Sequence, residues 1–415
     1  MSSTFTYGLS FTPKVDRKQL MARVALLLVI RKKMMKKHRR RFHTHPFLMQ
    51  RKKQGQYNTY YKELRNDEEK FKGYLRMSTA SFDKLTAIMK QAMPRRKSIR
   101  EPVPLELRLV ITMRHVISAE TYHALARLFL IGMSTASQSI NEMLQWLALT
   151  IEKQYVKTPT NAAEWRSVAE GFDQKFGLPN CVGVLEGKHI YVKCTKQQVQ
   201  EYQSQTRKMF SIVVYVMCDS DGNVIWLDVV PPDVERYNKG EDVFKSPSIL
   251  DVLEKKQIQL DDPSPQGMIA AATGTQQTTR QPYIVLPPHF PPHPCCIQPC
   301  TSQQSFELSL CDHQFNNQML RVCELPENTI GAASARFRTL LSVHAARLPN
   351  VINVVRAALA MENFVRDECG APLESTAWLT ELQKTNSLPL KSIARQNIAQ
   401  SAPQYQLSTD MRLPV

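Results

Sequence analysis

The sequence has no apolar run long enough to cross a bilayer. Its longest purely apolar stretch is residues 24–30, far short of the roughly 18–20 residues that a spanning helix needs. A secretory leader is not expected either. Eleven Lys and Arg lie between Arg31 and Lys53, where a leader would present a small-residue cleavage site. Cysteine is sparse and odd in number, nine residues scattered from Cys181 to Cys369. In a long chain this speaks against a disulfide scaffold and for a reducing compartment. The 14 glycines and 25 prolines follow no period, which excludes collagen-like and glycine-rich arrays. No internal repeat is present.

Acids are also scarce, 37 against 54 Lys and Arg, for a net charge of +17. The excess is concentrated. Residues 1–53 hold fifteen Lys and Arg and one acid, Asp16, so the remainder is nearly neutral. The chain of 415 residues is 43% hydrophobic and 22% charged, a composition that folds, with length for two or three domains. The reading is a nearly neutral body carrying a basic, flexible arm over residues 1–53, with a short helix near residues 23–37. The natural counterions of such an arm are nucleic acid, an anionic membrane or a nuclear import receptor. Arg31, Lys32, Lys33, Lys36, Lys37, Arg39, Arg40 and Arg41 read as a nuclear localisation signal. Non-specific contact with DNA or RNA is a second use of the same charges. Localisation in the nucleus is expected, and no membrane partner.

Residues 54–156 read as an all-α domain. Tyr60, Leu64, Phe71, Tyr74, Leu75, Phe82, Leu85 and Met89 recur at helical spacing, and Ser78 is placed to cap a helix. Residues 105–156 give three amphipathic stretches. The turn Ile131-Gly132-Met133 separates the last two, and Ser134 is expected to cap the third, a helix-turn-helix layout. Gln138, Asn141 and Gln145 on that third helix are the candidates for reading base edges. A trihelical packing unit without a DNA role has the same pattern. The helix carries no Lys or Arg, and Glu142 makes it slightly acidic. Phosphate contacts must therefore come from Arg95, Arg96, Lys97, Arg100 and the arm.

The period becomes strand-like after Pro179. "NCVGVLEGKHIYVKC" reads as two apolar runs with a turn at Gly187. "FSIVVYVMCDSDGNVIWLDVVPP" reads as a hairpin turning at Asp221-Gly222-Asn223. Residues 257–282 read as an irregular loop, and "YIVLPPHFPPHP" as a short strand ended by prolines. Residues 315–368 return to helix, and residues 370–415 read as a flexible tail. Helices, then strands, then helices imply an α/β fold with an all-α front domain before the strands, which with the following helices form a core over residues 157–369.

The segment "FGLPNCVGVLEGKHIYV" (176–192) resembles the Phe-Pro-Asn-Cys-Ile-Gly-x-x-Asp-Gly-Lys-His-Ile block of PIF/Harbinger transposases and the Harbinger transposase-derived nucleases (DDE superfamily 4). Further ordered similarities are "FSIVVYVMCDSDGNVIWLDV" (210–229), "VFKSPSI" (243–249), "FNNQ" with "ENTIG" and "RFRTL" (315–340), and "MENF" (361–364). The resemblance spans residues 47–367. It implies an RNase H-like (DDE transposase) core whose clustered carboxylates hold divalent cations, Mg or Mn, for phosphodiester cleavage. It also implies a separate Myb/SANT- or MADF-like DNA-binding protein as partner.

The departures from the family pattern are as informative as the matches. Glu186 stands where the first family acid is Asp, one methylene longer. The second acid position is Gly240, and the neighbouring Asp242 replaces it only after a register shift. Pro287 stands at the third position and offers no ligand atom. The fourth acid is retained as Glu327, directly after Pro326, a residue expected to disturb that helix or to begin it. Magnesium demands oxygen ligands, so the acidic set is degenerate and nuclease activity is expected to be lost. His289, His293, Cys295, Cys296 and Cys300 are dense enough for zinc. Their spacing matches no standard finger, and five prolines stiffen the segment; drift in a released catalytic loop is the preferred account. The expectation is thus a domesticated transposase that associates with DNA or chromatin through a protein partner. The alternatives are an active metal-dependent nuclease using Glu186, Asp242 and Glu327, and a protein-interaction scaffold without DNA binding.

Overall fold

The structure, a computed structural model, describes residues 17–34, 42, 44–94, 102–193, 211–230, 282–290, 292–293, 295–299, 310–344 and 347–370. For residues 17, 32–34 and 310–314 it describes the backbone alone. The chain is a mixed α/β protein. Helices α1 (Arg17–Met34), α2 (Pro46–Met49), α3 (Arg51–Gln54), α4 (Tyr60–Leu64), α5 (Glu68–Leu75), α6 (Thr79–Ala92), α7 (Leu105–Ser118), α8 (Tyr122–Leu128), α9 (Met133–Tyr155) and α10 (Ala162–Phe176) come first. Strands β1 (Cys181–Tyr191), β2 (Ser211–Cys218), β3 (Val224–Val230), β4 (Tyr283–Val285) and β5 (Cys296–Ile297) follow, then α11 (Leu310–Arg336) and α12 (Leu348–Cys369).

Local chemistry sets many of the helix starts. Ser78, Thr121 and Asn161 each accept a backbone N–H three residues ahead, from Ser81 (3.0 Å), Ala124 (3.3 Å) and Glu164 (2.9 Å), satisfying donors that a helix start leaves orphaned. Ser134 does not cap α9: Gly132 holds that position without a side-chain bond, and Met133 is already helical. The arm is not uniformly flexible. α1 starts at Arg17, earlier than its charge pattern suggests, and every described side chain from 18 to 31 is exposed.

The sheet order is β3-β2-β1-β4-β5. β1–β2 and β2–β3 pair antiparallel, and β1–β4 and β4–β5 pair parallel. β1 therefore sits at the junction of an antiparallel meander and a parallel edge. It runs unbroken through Gly187, where a turn was expected. The glycine is needed for space: a Cβ there would stand 2.8 Å from Tyr215 Cε1 and 3.5 Å from the Phe290 ring. Gly187→Ala should cost about 1–3 kcal/mol by overpacking, read as a lower urea midpoint at unchanged m-value. The β2–β3 hairpin turns where expected, with Gly222 at φ 74°.

Helix α10 covers one sheet face, burying Trp165 and Ala169 against Val182, Leu185, Val213 and Tyr215. The opposite face is covered by α11 and α12. α12 in turn packs along α9, so a single buried cluster runs from Tyr61 to Val365. The division expected near residues 156/157 falls inside this core. The reason is the length of α9: its last apolar turns, Ala148 and Ile151, bury in the same cluster as the apolar side chains of α12.

Polar side chains of α12 fasten the hairpin to the helices. Buried Asn363 accepts the Val224 N–H (3.0 Å) and donates to Val224 O (2.8 Å) and Tyr155 O (2.9 Å). Arg366 donates to Gly222 O (2.6 Å) and Asp221 O (2.7 Å). Glu362 takes Arg336 Nε of α11 at 2.8 Å, and Arg336 also reaches Arg76 O at 3.1 Å. The "MENF" segment thus ties three layers together.

Candidate functional site

The candidate site lies at the middle of β1. Strand alternation puts Glu186 and Lys188 on one face, opposite Val216 and Val214 of β2. Both carboxylate and ammonium are therefore flanked by apolar side chains. Glu186 is 7% exposed. Its Oε1 accepts the Gly187 N–H at 2.8 Å and pairs with His289 Nε2 at 3.3 Å.

His289 reaches Glu186 because the loop after β4 is pinned. Phe290 is buried against Tyr215, ring centroids 6.1 Å apart. Gln298 Nε2 donates to Pro287 O (3.0 Å) and Phe290 O (2.8 Å). With Phe290 turned inward, the neighbouring His289 imidazole stays half exposed beside Glu186.

Helix α11 supplies the opposite wall. Met319 and Val322 bury against Val184 and Val285. Met319, Cys323 and Glu327 recur every four residues and so share a helix face. Burial raises the Glu327 carboxyl above its ordinary range. The charges of Glu186 and Glu324 add to the rise, while Lys188 and His289 oppose it. Burial pushes the Cys323 thiol up to about 12, with Glu186, Glu327 and Glu324 adding to it. Burial also holds the Lys188 ammonium below its usual range, against the pull of Glu327 and Glu186. The result is two carboxylates set among a lysine, a histidine and a thiol in a largely buried neighbourhood.

This arrangement does not fit a pair of hard divalent ions. Such ions need several converging oxygen ligands. Here one Glu186 oxygen is committed to His289 and Gly187, and buried Pro287 offers no ligand atom. Among the described residues no three His, Cys, Asp or Glu side chains converge as a metal group. Zinc fares no better: His293 Nδ1 accepts the Cys295 N–H at 3.3 Å and lies 3.9 Å from Cys296 Sγ, while His289 belongs to Glu186. Cys300 lies outside the described residues.

Glu186 and Glu327 are close enough for the charge of one to raise the pKa of the other. Pro326 neither breaks nor begins α11, which continues through it. Asp242, Arg95, Arg96, Lys97, Arg100, Lys36, Lys37, Arg39, Arg40 and Arg41 lie outside the described residues. Arg31 is exposed on α1; Lys32 and Lys33 are described there by backbone alone. Gln138 is exposed on α9, whereas Asn141 is engaged by Tyr122 Oη at 2.9 Å and Ser137 Oγ at 3.4 Å. A base-reading role for Asn141 would require releasing Tyr122. Glu142 is taken by Arg108 of α7 at 2.7 Å, so its charge is answered. Sequence reasoning missed Lys188, for which the i, i+2 spacing from Glu186 was a usable signal, and it singled out His289 only as a possible zinc ligand, since nothing local signalled its contact with Glu186.

No family model, curated protein or solved structure matches this chain.

Proposed function

We propose that the chain is a domesticated PIF/Harbinger transposase: a nuclear protein with an RNase H-like core that no longer cuts DNA. It acts by associating with DNA or chromatin alongside a Myb/SANT- or MADF-like protein partner. The fold reading is supported by the strand order, an antiparallel meander joined through β1 to a parallel edge. The loss of cleavage rests on one observation. Glu186, at the centre of β1, has one oxygen occupied by His289 at 3.3 Å, and the neighbouring strand β4 leads into Pro287 where an acid would be needed.

The test is plasmid nicking by the full chain with magnesium or manganese. The expected result is intact supercoiled DNA, with Glu186→Gln indistinguishable from the parent. Metal-dependent nicking abolished by Glu186→Gln would reinstate an active nuclease. DNA association is read separately, by duplex binding across a salt series: affinity should fall steeply as salt rises.

A further inference from the structure

We infer that α1 is a surface anchor for anionic lipid, a role independent of the DNA-associating reading. Residues 17–34 hold no Gly or Pro and are rich in Ala, Leu, Met, Lys and Arg, so the segment favours a helix by itself. What it does not do is pack. Eight of its apolar side chains, Met21, Leu26 and Leu27 among them, are 43–68% exposed. None of the eight joins a buried cluster. Helix α6, by contrast, buries Phe82, Leu85 and Met89.

The apolar and charged residues of α1 are separated along its axis rather than around it. Successive helical residues stand about 100° apart, so the unbroken apolar run 24–30 points in every direction. The basic residues sit at the two ends, Arg17 and Lys18 before the run and Arg31, Lys32 and Lys33 after it, with Arg23 between. No acid occurs anywhere from Arg17 to Lys53.

Charge and apolar surface together select the occupant. Nucleic acid would answer the basic ends and leave the apolar middle in water. A second α1 would cover part of the middle but set basic end against basic end, whichever way it ran. The boundary between anionic headgroups and acyl chains satisfies both. Acyl chains surround the middle, lipid phosphates meet the ends, and Arg23 reaches the phosphates along its own stem. From Leu20 to Ile30 the helix is about 16 Å long, half of a bilayer core, so it lies in the surface and does not cross. No described helix is long and apolar enough to cross a membrane. The sequence pointed away from a membrane partner because the apolar run is too short to span, a limit that does not apply to a helix lying in the interface.

The test is co-sedimentation of the full chain with vesicles of phosphatidylcholine alone and of phosphatidylcholine mixed with phosphatidylserine. It compares the parent, Leu26→Gln/Leu28→Gln and Arg23→Gln/Arg31→Gln. All three should unfold at the same temperature, since α1 adds nothing to the buried clusters. The parent should bind the mixed vesicles, bind the neutral ones far less, and bind more weakly as salt rises. Each double variant should lose about tenfold or more in affinity for the mixed vesicles. A parent that leaves the mixed vesicles unbound would overturn the anchor without touching the DNA-associating reading, which duplex binding tests separately. A leucine variant that binds vesicles like the parent would reduce the contact to charge alone and overturn it too. The same holds if the leucine variant loses duplex binding as much as vesicle binding, which would give α1 to nucleic acid. A lipid-free parent that sizes as a dimer, beside a monomeric leucine variant, would give the apolar middle to a second copy and also overturn the proposal.

Discussion

Asn363→Ala should lower the melting temperature of the full chain by roughly 10 °C. The side chain is 5% exposed and makes three hydrogen bonds to backbone groups of the β2–β3 hairpin and the end of α9. Alanine leaves one buried N–H and two carbonyls short of a partner. An orphaned buried polar group costs about 1–3 kcal/mol, so a total near ~4 kcal/mol is expected. A shift of about 2–4 °C per kcal/mol for a folded unit of about 150–250 residues, taken near its lower end because this chain has 415 residues, then gives the figure above. Gln145→Ala, at an exposed position on α9, is the control and should stay within about 0.5 kcal/mol of the parent. If the Asn363 variant melts with the control, the α12 fastening carries no weight in the fold.

Acidification from about pH 6.5 to about pH 4 should destabilise the chain by about 3 kcal/mol through one histidine. His344 extends the sheet past β1: its N–H donates to Tyr191 O at 3.0 Å, and its carbonyl accepts the Lys193 N–H at 2.7 Å. The ring is buried, and Nε2 has no hydrogen-bond partner. Burial first, and then the neighbouring His115 of α7, push its pKa down to about 4, against a hydrogen bond with the Thr339 backbone. Above the ordinary histidine pKa the ring is neutral in both states and nothing is lost. Below it, the unfolded chain takes up a proton that the folded chain refuses, so stability drops with pH until the folded ring titrates near 4. His115 is also held below its ordinary value, chiefly by burial, and acts in the same direction. Chemical denaturation at about pH 7 and about pH 4.5 should show the loss, and His344→Gln should flatten the profile in that window. A variant with the parent's pH dependence would remove His344 as the cause.

The parts of the fold that were legible in the sequence are those governed by neighbours in the chain. Ser78 caps α6 because its hydroxyl needs only the next turn, and Asp221-Gly222-Asn223 turns because Gly222 accepts φ 74°. Gly187 misleads because a glycine opening a turn and a glycine admitting a ring look alike locally. The Tyr215 ring that fills its place comes from another strand. Pro326 misleads in the same way, since its chain neighbours do not reveal that α11 is held by Met319 and Val322 against β1 and β4. At the candidate site, Glu186 and Glu327 could be found as carboxylates in order. The His289 contact to Glu186 could not, because which residue of the proline-rich loop meets Glu186 is decided by Phe290 and Gln298 at a distance.

The unbroken core from Tyr61 to Val365 also governs how this protein can be dissected. A truncation between residues 156 and 157 would part the apolar side chains of α9 from those of α12 that complete their cluster, so each piece is expected to expose apolar surface that the whole chain buries.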